Sequence, residues 1–271
     1  MAARSQRVSS KQPIPYRVSE RFSTADEGTI PFVSSDNVPF YIDRARLDRD
    51  AASFAPAGFV ANPDEVVHLS EDSTTLDLLF RFVYREQHVR LSTLQFKMLA
   101  SLAEAAEKYG VYSASTICRA SMEARSESHP LQVMSYAAKH GHDDVLDVVG
   151  SSTISLDPAE VLAALSPRHF AAWVIYTNQY NRFMRDFIDH RIYWGVCDAC
   201  KTALFCNALQ KGPQGFAHLD VLFPYALLHD TMSWVGCCTG NKCKSSLEGL
   251  KRNLYTKIAK DAKPLTGFLA Q

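Results

Sequence analysis

Six of the seven cysteines fall between Cys197 and Cys243, and their spacing is the sharpest chemical pattern in these 271 residues. Cys197-Asp198-Ala199-Cys200 puts two thiols on one tight loop, the arrangement of a bidentate thiolate clip. Cys238 and Cys243 make a second pair, with Cys237 beside the first of them and a spacing at the loose end of the usual range. Together Cys197, Cys200, Cys238 and Cys243 are candidate ligands of one tetrahedral, structural zinc. The competing reading is a set of reduced, unliganded thiols, with Cys206 belonging to neither pair. A third reading is a Cys-dependent redox or metal-dependent enzyme centred on Cys197 and Cys200. A redox use needs a preceding strand and a helix N-terminus at the first Cys to depress its pKa, whereas a long helix is expected before Cys197.

Other catalytic machinery is not visible. The sequence has no G-x-G-x-x-G, P-loop, H-E-x-x-H or G-x-S-x-G motif. His140 and His142 flank Gly141 at an expected helix break, where a capping or surface role outweighs a shared metal. The acidic pairs Asp64-Glu65, Glu71-Asp72 and Asp143-Asp144 stand just before expected elements, where carboxylates complement helix N-termini. Lys242, Lys244, Lys251, Arg252, Lys257, Lys260 and Lys263 crowd the C-terminal helix, with Leu247, Leu250, Leu254 and Ile258 turned inward. That pattern describes a solvated face over an apolar stripe.

The 29 basic and 29 acidic residues cancel, so a nucleic-acid partner, which requires several phosphates to be neutralised, is not expected. With 46% apolar and 21% charged residues the chain reads as globular, and no apolar run is long enough for a membrane span. An N-terminus without an apolar signal core, together with clustered cysteines of odd count, points to an intracellular protein of cytoplasm or nucleus.

The elements that must position these residues divide the chain in three. Residues 1–27 carry Arg, Lys, Ser and Gln without an apolar period and are expected to be a solvated, disordered tail. Thr29–Val33 and Val38–Ile42 around Asp36-Asn37 predict a hairpin; Pro31 and Pro39 demand that at least one strand lie at an edge or bulge. Helix over 43–54, a strand over 65–69, a helix with the stripe Leu76, Leu79, Phe80 and Val83, a second over 92–109 ended by Gly110, and a shorter one over 113–122 complete residues 28–127. From 128 to 271 helices are expected at 131–140, 142–149, 158–165, 167–194, 204–210, 219–229 and 246–260. The fold class is therefore α+β, a small sheet covered by helices followed by an all-helical extension.

This order resembles the BTB/POZ domain. The likeness is most specific at Val66–Tyr84, a strand, an acidic turn and a helix ending in Tyr, and continues at Leu99–Tyr109. Leu131–Gly141 resembles the first helix of the extension common in fungal members. The resemblance implies a non-catalytic protein–protein interaction or adaptor module, self-associating or serving a cullin-type ubiquitin ligase or a transcriptional regulator. Asp43-Arg44 stands where the family usually has His and a basic residue, and Thr29 where many members keep an Asp. Both alter the family's dimer pocket, so self-association weaker than the usual dimer is expected.

Overall fold

The computed structural model describes residues 19–54, 66–86, 90–190, 195–224 and 241–269. The chain divides into two compact units, Met1–Met122 and Glu123–Gln271. In the first, strands β1 (Thr29–Val33) and β2 (Pro39–Asp43) alternate buried and half-buried side chains. They pair antiparallel with Ile30 opposite Ile42 and Phe32 opposite Phe40, so one face carries the apolar set. The connecting turn needs no glycine: Asn37 adopts the left-handed conformation at φ 62, and the Ser34 hydroxyl accepts the Val38 N–H at 2.9 Å.

Strand β3 (Val67–His68) lies parallel to β1, giving the order β2-β1-β3. Pro39 sits on the edge strand, as expected of a residue that cannot donate. Pro31 sits in the central one. Its partner Tyr41 turns its N–H away from β1 to the Phe22 carbonyl at 2.8 Å, so the N–H that Pro31 lacks would face β3. On that side the parallel ladder involves only Phe32 and Val33.

Residues 19–24 depart from the expected solvated tail; residues 1–18 lie outside the described ones. The Ser19 N–H reaches the Pro39 carbonyl, so this segment runs along the outer edge of β2. Phe22 is buried and its ring packs 5.0 Å from Tyr84, 5.8 Å from Phe80 and 6.2 Å from Phe40. One aromatic among Arg, Ser and Gln carries no period, yet burying it is worth about 1.5–3 kcal/mol, which offsets the ordering of one or two residues and is joined by the backbone bonds from Ser19 to Pro39 and from Tyr41 to Phe22.

Asp43 caps helix α1 (Arg44–Asp50), accepting the Arg46 N–H at 3.0 Å, while its own N–H donates to the Tyr84 hydroxyl at 2.9 Å. Asp72 caps α2 (Ser73–Val83) by accepting the Thr75 N–H at 2.7 Å, and Leu76, Leu79, Phe80 and Val83 are fully buried. Helix α3 (Phe96–Tyr109) begins later than Ser92, because Leu91–Thr93 form a 3-10 turn closed by Thr93 on the Arg90 carbonyl and Leu94 is extended. Of the stripe Leu94, Met98, Leu102, Ala105 and Tyr109 that the spacing predicts, Leu102, Ala105 and Tyr109 are buried, joined by Leu99, Ala103 and Ala106, while Leu94 and Met98 at the start are half-buried. Gly110 ends it at φ +64, where a Cβ would stand 3.0 Å from that of Ala52. Helix α4 (Tyr112–Glu123) closes the unit.

Among its described residues the second unit has helices, joined by turns, and no strand. Helices α5 (Pro130–His140), α6 (Asp143–Gly150) and α7 (Pro158–Ala164) lead to α8 (Pro167–Asp189), capped by Ser166. Gly150 allows the Tyr176 ring to come within 3.1 Å of where a Cβ would be, and the Trp173 indole N–H donates to the Thr153 hydroxyl. Helix α8 stops at Asp189, with residues 191–194 outside the described ones. Helices α9 (Asp198–Lys211), α10 (Gln214–Ala217) and α11 (Leu219–Leu222) follow. Helix α11 ends at Leu222 instead of running on, since Phe223 precedes Pro224 and is held out of the helical region at ψ 71. Helix α12 (Asn241–Asp261) starts before Cys243 rather than after it.

Candidate metal centre

Three of the four expected ligands come together. Cys197 is the residue immediately before α9, Cys200 lies in that helix's first turn, and Cys243 lies in the first turn of α12. Their sulfurs all lie within 4.8 Å of one another, the only group of three or more potential metal ligands among the described residues. A tetrahedral zinc with Zn–S bonds of ~2.3 Å sets sulfurs about 3.8 Å apart, so a metal needs only a small inward movement of the side chains. Cys238, expected as fourth ligand, and its neighbour Cys237 lie outside the described residues.

Local sequence explains the placing of Cys197 and Cys200, and packing brings Cys243 to them. Gly195, at φ +65, turns the chain into Val196 and Cys197, and its Cα side faces Ser246 of α12. The extended backbone of Cys197 then starts α9, so a C-x-x-C sequence spans exactly the start of one helix and both sulfurs face the same end. The Cys197 N–H donates to the Cys243 sulfur at 3.4 Å, which ties the two helix starts directly. All three sulfurs therefore sit at helix N-termini, where the positive end of the helix dipole complements anionic ligand atoms. Cys200 and Cys243 are buried and Cys197 half-buried, so a bound ion would be shielded from solvent on the described side.

Soft, anionic sulfur donors in this number select zinc or another thiophilic metal over calcium or magnesium. The cluster could thus hold a metal such as zinc. Cys206 is exposed on α9, about a turn and a half beyond Cys200, and takes no part. Cys118, in the first unit, is a different kind of thiol: burial, with Glu107 adding to it, pushes its pKa up to about 12.

The remaining sequence candidates behave structurally. His142 precedes α6, and the His140 and His142 rings pack 5.1 and 5.2 Å from that of Tyr136. Asp143 and Asp144 occupy the first turn of α6, as charge complementarity to the dipole requires. Asp64 and Glu65 lie outside the described residues. Glu71 does more than expected: it binds the Lys108 ammonium at 2.8 Å and the Tyr109 hydroxyl at 2.5 Å, joining the turn before α2 to the end of α3. Burial pushes the Glu71 carboxyl up, but its hydrogen bonds from Lys108, Tyr109 and Ser70 outweigh this and hold it below the usual range. Burial, and then the bond to Glu71, raises the Tyr109 hydroxyl to about 12. These partners are 37 and 38 positions apart in sequence and leave no local signature.

No family model, curated protein or solved structure matches this chain.

Proposed function

We propose that this chain is a non-catalytic protein–protein interaction module of BTB/POZ type, extended by helices whose C-terminal part is stapled by structural zinc on Cys197, Cys200, Cys238 and Cys243. The observation that carries the first half is the order and pairing of the first unit: a hairpin, a short helix, a third strand beside β1, and then α2 and α3. The zinc rests on the three converging sulfurs. The binding work falls to exposed apolar side chains such as Tyr112 and Ile117 on α4 and to the sheet edge at β3, where Val66 is exposed. Because residues 19–22 line the other edge, strand addition belongs on the β3 side.

The partners that this reading implies are a second copy, a cullin-type ubiquitin ligase or a transcriptional regulator. Titrating the whole chain against a cullin N-terminal domain, and sedimenting it alone at low micromolar concentration, tests the reading. Association in either experiment that Tyr112→Glu and Ile117→Glu weaken at least tenfold, with folding unchanged, supports it. Thiol-dependent turnover lost in Cys197→Ser but not in Cys206→Ser would replace it with the Cys-dependent enzyme.

A further inference from the structure

Residues 263–269 after α12 lie on α6 and α8, and three side chains of those helices read their backbone. The Gln179 amide accepts the Lys263 N–H and donates to the Lys263 carbonyl, both at 3.0 Å, as a neighbouring β-strand would. Asp147 accepts the Thr266 N–H on one carboxylate oxygen and the Thr266 hydroxyl on the other, both at 2.8 Å. At the far end the Arg168 guanidinium donates twice to the Leu269 carbonyl, at 3.1 and 2.8 Å. Between these points Leu265 is buried at 2% exposure.

The chemistry is that of a capped peptide held at both ends. Leu265–Phe268 form a 3-10 turn whose preceding residue is Pro264, which has no side-chain oxygen with which to cap it. Asp147, 119 positions earlier, supplies that carboxylate, and Arg168 satisfies the last carbonyl. Gln179 and Arg168 recognise backbone and so tolerate any side chain, whereas Leu265 and the Thr266 hydroxyl are selected by type. Pro264 keeps the approach extended.

We propose that α6 and α8 form a peptide-docking cleft for a Pro-Leu-Thr segment that enters extended at its Pro and turns into a 3-10 turn at its Leu, occupied in cis by this chain's own residues 263–269. The occupant that displaces them is another chain's segment of the same chemistry: a Pro, an apolar anchor, and a residue whose hydroxyl and N–H together meet Asp147. The cis segment is tethered at high effective concentration, so it acts as a latch that a partner must displace. This inference stands on unit two alone and survives whether or not the BTB/POZ reading holds.

The test uses the full chain with its latch disabled. Leu265→Ser removes the anchor, and a labelled peptide of sequence Lys-Pro-Leu-Thr-Gly-Phe-Leu is then added in trans. It binds Leu265→Ser at least tenfold more tightly than the wild-type chain, whose cleft is filled. Adding Asp147→Asn or Gln179→Ala to Leu265→Ser weakens the peptide at least fivefold; both side chains are half-buried, and circular dichroism shows helix content unaltered in each double variant. A peptide with Val in place of its Thr loses affinity to the same degree in Leu265→Ser but no further in the Asp147→Asn double variant. Equal binding to wild type and Leu265→Ser, or binding indifferent to Asp147 and Gln179 in a folded protein, overturns the proposal.

Discussion

The first unit and the helices α9 to α12 of the second are held by different physics. In the first, Phe80 is completely buried, with the rings of Phe22, Phe32, Phe40 and Phe54 at 5.6–5.8 Å from its own. By contrast α12 has 21 residues, and among its described side chains the buried ones are Cys243, Leu247 and Leu254. Apolar burial at about 25 cal/mol per Å² makes the aromatic cluster self-sufficient. A helix with few buried positions gains less from apolar burial, and a metal on the sulfur of its first turn, as proposed above, would supply a second clamp.

The comparison breaks most visibly at Phe80. Phe80→Ala is expected to cost ~3–5 kcal/mol by urea denaturation, and Phe22→Ala somewhat less, while metal content stays unchanged. Removing the metal should do the reverse. A ligand bound only to the folded state at a hundred times its Kd contributes about 2.7 kcal/mol, so chelation or Cys200→Ser should lower the melting of the α9–α12 region by that order and leave Phe80's surroundings intact. Calorimetry against free zinc checks it through a midpoint that rises with zinc for wild type and not for Cys200→Ser.

A finer contrast lies in protons. Tyr109→Phe removes a bond to a charged carboxylate, an expected loss of roughly 1–2 kcal/mol at pH 7. Because the Glu71 value is depressed on folding, its contribution is complete above the usual glutamate value of about 4.3 and disappears as pH falls through the lower folded value. The Tyr109 value is raised, so its contribution is complete below the usual tyrosine value near 10 and is lost as pH rises towards about 12. The mutant should therefore lose the alkaline limb of the stability profile. The smallest effect belongs to the exposed Lys257–Asp186 pair at 2.9 Å, where Lys257→Ala should change stability by less than about 1 kcal/mol, and less still in high salt.

Local patterns in the sequence expose much of this. The stripe of α2, the caps Asp72 and Ser166, the stop at Gly110 and the hairpin at Asp36-Asn37 each arise from residues within one or two turns of each other. Asp43 carries the same kind of signature, a carboxylate just before a helix, although the family pattern draws attention to what is missing there instead. Phe22 was illegible because a lone ring has no period, and Glu71–Tyr109 and Asp147–Thr266 because their partners meet only after the chain has folded. The cysteine clip is intermediate. Spacing reveals Cys197 and Cys200, but that Cys243 meets them at the start of a helix depends on how α9 and α12 pack.

Hydrogen exchange on the whole chain, with zinc and after chelation, tests the contrast most directly. Protection should fall across residues 195–261 on chelation and stay unchanged across 29–122. Equal loss in both regions, or no change in either with zinc shown to be bound at first and absent afterwards, would contradict a metal staple confined to the C-terminal helices.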